Sequence, residues 1–121
     1  MRLLLDHHIS PRVAAAFKRL GGRCEVTHMR DWHGGIYVRQ HGEGDLPWLR
    51  AAGREQWIIV TGDRNTLLSD LALLNEEGGE LPGFAAVNPE HLADIGWIAR
   101  KLAALEKACA KQRACNVQVF L

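Results

Sequence analysis

Asp6 follows three leucines, Asp63 follows the apolar run at 57–60, and Asp45 opens a segment with helical spacing. An acid that ends a buried strand in an open α/β sheet stands just outside the carboxyl end, where such sheets collect ligands. Asp45, at the N-terminal end of a helix, can face the same crevice. Carboxylates held together repel one another, and a divalent cation relieves that repulsion. Mg²⁺ or Mn²⁺ is the natural partner, because hard oxygen ligands suit both ions and such ions activate water and stabilise charge developing on a phosphodiester. The same residues also admit a structural reading, in which Asp6 ends a strand, Asp45 caps a helix and Asp63 stabilises a turn.

The elements that must position these acids follow from the flanking patterns. Residues 3–5 are a short apolar run that reads as a buried strand. Ser10 suits an N-cap and Pro11 a first helical position; Val13, Phe17 and Leu20 then recur at helical spacing until Gly21 and Gly22. Residues 24–28 read as a second strand. Residues 31–44, with Gly34, Gly35, Gly42 and Gly44, read as a loop. Asp45 caps the next helix, with Pro47 in its first turn and an end at Gly53. Residues 57–61 are the strongest strand signal, apolar on both faces as a central parallel strand should be. A helix at 67–74, a strand at 83–87, a helix opened by Asn88 and Pro89 that runs to about Gln112, and a strand at 116–120 complete the chain. Strand and helix alternate throughout, so a mostly parallel sheet covered by helices is the economical α/β architecture.

The 121 residues, 47% hydrophobic and 24% charged, fit one domain spanning 1–121 with a core of its own. A formal net charge of +1 excludes a bulk field of the kind that binds nucleic acid indiscriminately, so any such surface must be local. Cys24, Cys109 and Cys115 have no C-x-x-C spacing and suggest neither a disulfide framework nor a zinc knuckle, which makes a reducing cytoplasm the expected compartment. The start MRLLLDHHIS is too short in its apolar part for a signal peptide, and nowhere do apolar residues run long enough for a membrane span.

The opening LLLDHHISPRVAAAFKRLG, the central DLPWLRAAG and the TGDR that follows WIIV together resemble a PIN-like nuclease domain, in particular its short VapC45-like or Mut7-C-type branch. The match covers about the first 75 residues in order and spacing. The resemblance implies a single-domain PIN-like three-layer fold and a Mg²⁺- or Mn²⁺-dependent endoribonuclease, often the toxin of a toxin–antitoxin pair. It places Asp6, Asp45 and Asp63 as the first, second and third acids, serving as metal ligands and catalytic residues. The implied partners are an RNA substrate and an antitoxin protein, with a homodimer as a further assembly. Two positions depart from the pattern: His8 stands where Asn is common, and Asn65 where many PIN proteins carry a fourth acid. Asn65 still offers a carbonyl oxygen but subtracts one negative charge. That departure favours the alternative function, a degenerate PIN-like domain that binds nucleic acid or a partner without cleaving. Glu43, two residues before Asp45, can stand in for it.

Around the acids, His8 is a candidate to touch substrate phosphate or support Asp6, against the ordinary reading of a surface or packing histidine. On an extended strand end His7 and His8 point to opposite sides, so only one faces Asp6. The letters DHH also occur in a family of manganese phosphoesterases, whose other motifs are absent. In the glycine-rich segment Trp32, His33, Tyr37, Arg39 and His41 offer aromatic and basic contacts for single-stranded RNA, or pack. Residues 65–99 contain no Lys or Arg, whereas Arg100, Lys107 and Lys111 are read as one basic face of the last helix, solvated or meeting RNA or an acidic antitoxin segment. A phosphoacceptor receiver domain needs paired acids at the first strand and a Lys after a late strand, and neither is visible; no P-loop occurs.

Overall fold

The computed structural model describes residues 1–39 and 44–121. Its order is β1 (Arg2–Leu5), α1 (Arg12–Arg19), β2 (Glu25–His28), α2 (Ile36–Arg39), α3 (Leu46–Arg54), β3 (Ile58–Thr61), α4 (Arg64–Glu76), β4 (Gly83–Ala86), α5 (Ile95–Cys109) and β5 (Gln118–Phe120). The five strands form one sheet in the order β2-β1-β3-β4-β5. Every neighbouring pair is parallel, so the sheet is wholly rather than mostly parallel. Period-2 alternation sorts its side chains into two cores. Leu3, Leu5, Ile58, Val60 and Ala85 point to one face, where Val13 and Phe17 of α1 and Ile98 and Leu102 of α5 cover them. Leu4, Ile59, Phe84 and Ala86 point to the other, against Trp48, Leu49 and Ala52 of α3 and Leu67 and Leu74 of α4. The result is a three-layer α/β fold whose central strands are buried on both faces, which is why 3–5 and 57–60 are uninterrupted apolar runs.

Three segments differ from the sequence reading. Residues 32–35 are an irregular turn with left-handed backbone at His33, Gly34 and Gly35, and 36–39 depart from the loop reading by forming the short α2; Trp32 is buried against Trp57, and Tyr37 and Val38 pack on the same core. Residues 40–43, which include His41 and Glu43, lie outside the described residues, as does the side chain of Arg39. The last helix does not start at Pro89: Asn88 caps a separate 3₁₀ turn, and Asp94, accepting from the Trp97 N–H at 3.0 Å, caps α5 itself. It ends at Cys109, so Lys111 falls in the following turn and not on the helix. Among the described residues, no helix is long and apolar enough to cross a membrane.

From β1 the chain moves outward to β2, and from β3 it moves the other way to β4 and β5. The order therefore reverses between the adjacent strands β1 and β3, and the two loops leaving their carboxyl ends diverge to opposite sides. A crevice at that point follows from the topology. Asp6 is the residue after β1, and Asp63 stands two residues after β3.

Candidate active site

Asp6 sits at the floor of this crevice. Its N–H continues the sheet by donating to the Val60 carbonyl at 2.9 Å, and its side chain is only 6% exposed. Such a group needs partners. The Thr61 hydroxyl donates to Asp6 Oδ2 at 2.7 Å, and the backbone N–H and imidazole Nδ1 of His7 both contact Oδ1. Thr61 has a second role, because the same oxygen accepts the Asp63 N–H at 3.0 Å. One buried hydroxyl thus fixes the carboxylate that follows β1 and the backbone of the acid that follows β3.

Asp63 is exposed and N-caps α4, its Oδ1 accepting from the Thr66 N–H at 3.4 Å. Asp45 precedes α3 as expected, but its side chain does not cap the helix backbone. Oδ1 instead accepts the indole N–H of Trp48 at 3.1 Å, with the Trp48 ring held in the core beneath. The acids line one small recess together with His7, His8, Thr61 and Thr66.

Asp70 lies in that recess too. It is seven residues after Asp63, about two helical turns, and so projects from the same face of α4 as Thr66 and Leu67. Burial, the neighbouring charge of Asp45, a hydrogen bond with the Asp45 carboxyl and the charge of Asp63 together raise its carboxyl above the usual aspartate range. Sequence reasoning looked for a fourth acid at position 65 and missed this one. The signal was the i, i+3, i+4, i+7 spacing from the capping aspartate, which makes Asp70 the acid that returns to the crevice. Asn65, two residues after Asp63 and so about 200° round the helix from it, lines a neighbouring cleft instead.

The histidines are placed differently from the expectation. Residues 7–8 form a turn rather than extended backbone, so the two rings lie side by side, 4.1 Å apart. His7 supports Asp6, and His8 is at the recess wall without contacting it. Of the basic candidates, Arg100 is exposed in the second turn of α5, which begins at the carboxyl edge of the sheet. Because α5 carries the chain back between parallel strands β4 and β5, Lys107 and Lys111 lie toward the opposite edge and are not brought to the acids. Trp32, being buried, is not available to stack on RNA.

The donor set suits a hard divalent cation: four carboxylates, two of them held in a repulsive pair, around one recess. The groups are not pre-assembled, and among the described residues no three His, Cys, Asp or Glu side chains already form a metal-binding group. Asp6 is engaged by Thr61 and His7, Asp45 by Trp48, and Asp63 by Thr66.

A comparison with curated proteins and another with solved structures returned no match. A family model described as a PIN-like domain matches residues 1–72, from β1 through most of α4. That span takes in Asp6, Asp45, Thr61, Asp63 and Asp70 alike, and with the three-layer parallel architecture it shows that the chain belongs to the PIN-like domain family, a family of nucleases.

Proposed function

We propose that this protein is a divalent-cation-dependent endoribonuclease in which Asp6, Asp45, Asp63 and Asp70 hold the cation. The observation that carries the reading is the fourth acid: Asp70 lines the recess with Asp6, Asp45 and Asp63, where burial and the charges of Asp45 and Asp63 disfavour its ionised form, so a cation entering there is favoured. Mg²⁺ or Mn²⁺ bound there neutralises the phosphoryl oxygens and lowers the pKa of water at the scissile phosphate. The chain's own residues do the positioning. Thr61 fixes the Asp6 carboxylate and the Asp63 backbone, so two ligands from different strands keep one spacing. His7 holds the second oxygen of Asp6 through Nδ1 and presents an exposed imidazole at the rim, where Nε2 donates to a phosphate oxygen in the imidazolium form alone.

Within this reading the chain is the toxin of a toxin–antitoxin pair acting in the cytoplasm. Three cysteines without a disulfide among them support the compartment. The antitoxin partner inserts Arg or Lys among the acids in place of the cation. A second reading has one observation in its favour: Asp6, Asp45 and Asp63 each already accept a hydrogen bond from a protein donor, as suits a PIN-like domain that binds nucleic acid or a partner without cleaving. Cleavage of a fluorescent single-stranded RNA panel in Mn²⁺, Mg²⁺ or EDTA separates the two, with Asp63→Asn as the control for contaminating nuclease. Metal-dependent cutting by the wild type alone supports the nuclease. Equal behaviour of wild type and variant supports the binding domain.

A further inference from the structure

Beside the acid recess, at the carboxyl ends of β3, β4 and β5, lies a second and larger cleft of about 520 Å³. Asp63 lines both, so the cleft adjoins the site described above. Its volume falls within the range of small-molecule sites. The cleft wall carries Phe120, 58% exposed, the most exposed large apolar side chain among the described residues. Phe84 packs edge-on against Phe120 at 5.6 Å and fixes the ring's plane from behind. The Arg64 guanidinium lies over the ring, 5.6 Å from its centroid, and Asn65 and Asn88 border the same space with amide groups.

We propose that this cleft is a nucleotide subsite for single-stranded RNA, in which one base next to the scissile phosphate stacks on Phe120 and Arg64 pairs with the adjoining phosphate. The proposal rests on the nuclease reading for what lies in the acid recess, but its recognition chemistry is separate. An exposed aromatic ring with a cation beside it is how sequence-tolerant single-strand sites are built, since every base has a π-face. An exposed cation–π contact is weaker than base–aromatic stacking, so an incoming base takes the guanidinium's place over the ring and the displaced cation meets the phosphate. Asn65 offers a donor and an acceptor to a base edge, and Asn88, whose Oδ1 caps the turn at Glu90, offers its amide N–H. A base seated here leaves its neighbouring phosphate at Asp63, which gives the departed fourth-acid position, Asn65, a role in binding rather than in metal ligation.

The test is the affinity of fluorescein-labelled oligoadenylate RNA, read by anisotropy in Ca²⁺, with a gel confirming that the strand stays intact. Loss of one stacked base predicts about 5- to 150-fold weaker binding for Phe120→Ala, wild-type affinity for Phe120→Tyr, and a shallower salt dependence for Arg64→Ala. Because Phe120 also touches Phe84, a strand of the same length with abasic nucleotides probes the stacking without altering the protein. It must lose affinity for the wild type and no further affinity for Phe120→Ala. Unchanged binding by Phe120→Ala overturns the subsite while RNA binding stands. The predicted losses without RNA cleavage in Mn²⁺ keep the subsite and overturn the nuclease reading. A concentration-dependent dimer abolished by Phe120→Ala, with RNA affinity unchanged, assigns the ring to a protein interface and overturns the proposal.

Discussion

Replacing Thr61 by Val should damage the protein far more than the loss of one oxygen on a β-branched side chain suggests. Thr61 is 1% exposed and Asp6 4% exposed, so the bond between them is not replaced by water in the variant. The bond to the Asp6 carboxylate, at 2.7 Å, is to a charged group and is worth about 1.5–3 kcal/mol. The bond from the Asp63 N–H, at 3.0 Å, adds about 1 kcal/mol. Valine fills the same volume, so no cavity term enters, and the total is about 3 kcal/mol. For 121 residues an unfolding entropy of about 2.1 cal/mol/K per residue converts each kcal/mol to about 4 °C, giving a Tm lowered by about 12 °C. Thr61→Ser keeps both bonds and loses one methyl, about 1 kcal/mol or about 4 °C. Thermal melts and urea titrations of the three proteins in EDTA read the difference. Valine and serine variants that melt together would refute the claim that this hydroxyl, rather than its methyl, holds the two strand-end acids.

Other expectations follow from sites away from the crevice. Burial pushes the Glu55 carboxyl up, but hydrogen bonds from His33, Trp57 and Trp32 outweigh it and hold the group below its ordinary 4.5. Its contribution is therefore present above about pH 4.5 and lost as pH falls through the folded-state pKa, so Glu55→Gln should flatten the acid limb of stability measured by urea titration against pH. Gly83→Ala should cost about 3 kcal/mol in the same assay, at the upper end for overpacking, because a Cβ there would stand 2.0 Å from the Ala114 carbonyl oxygen. Burial first, and then the bond to Glu106 and its charge, push the Cys24 thiol up to about 12, so mass spectrometry after iodoacetamide treatment at pH 8 should find Cys24 alkylated last among Cys24, Cys109 and Cys115.

Strands were legible where burial on both faces leaves no polar residue to interrupt the pattern, as at β1 and β3, and these are the strands that carry Asp6 and Asp63. What eluded the sequence were the partners that particular side chains find, near or far along the chain. The 32–39 segment has the glycines of a loop, but Trp32 finds Trp57 across the layer and the backbone coils around that contact. Asp45 has the position of a helix cap, yet the Trp48 indole three residues on is the better-placed donor. The sequence pattern presents the acids as a group that repels itself in the absence of metal. That description suits Asp45 and Asp70, whereas Asp6 is satisfied by Thr61 and His7, so Asp6→Asn should lose stability rather than gain it. Asp70 escaped notice because an acid in a helix is usually solvated, and only the turn count from Asp63 gives its direction.

The claim that these carboxylates share one cation is tested most directly by the Mn²⁺-induced shift in melting temperature of the wild type, Asp63→Asn and Asp70→Asn. Mn²⁺ at about 100 times its Kd stabilises the folded state by about 2.7 kcal/mol, a rise of about 10 °C for a chain of 121 residues. In EDTA, Asp70→Asn should melt at or above the wild type, because it removes a charge that Asp45 and Asp63 oppose. With Mn²⁺ the wild type should rise by about 10 °C and both variants by much less. Equal shifts in all three proteins would contradict the account and leave the acids as separate strand-end, cap and helix residues.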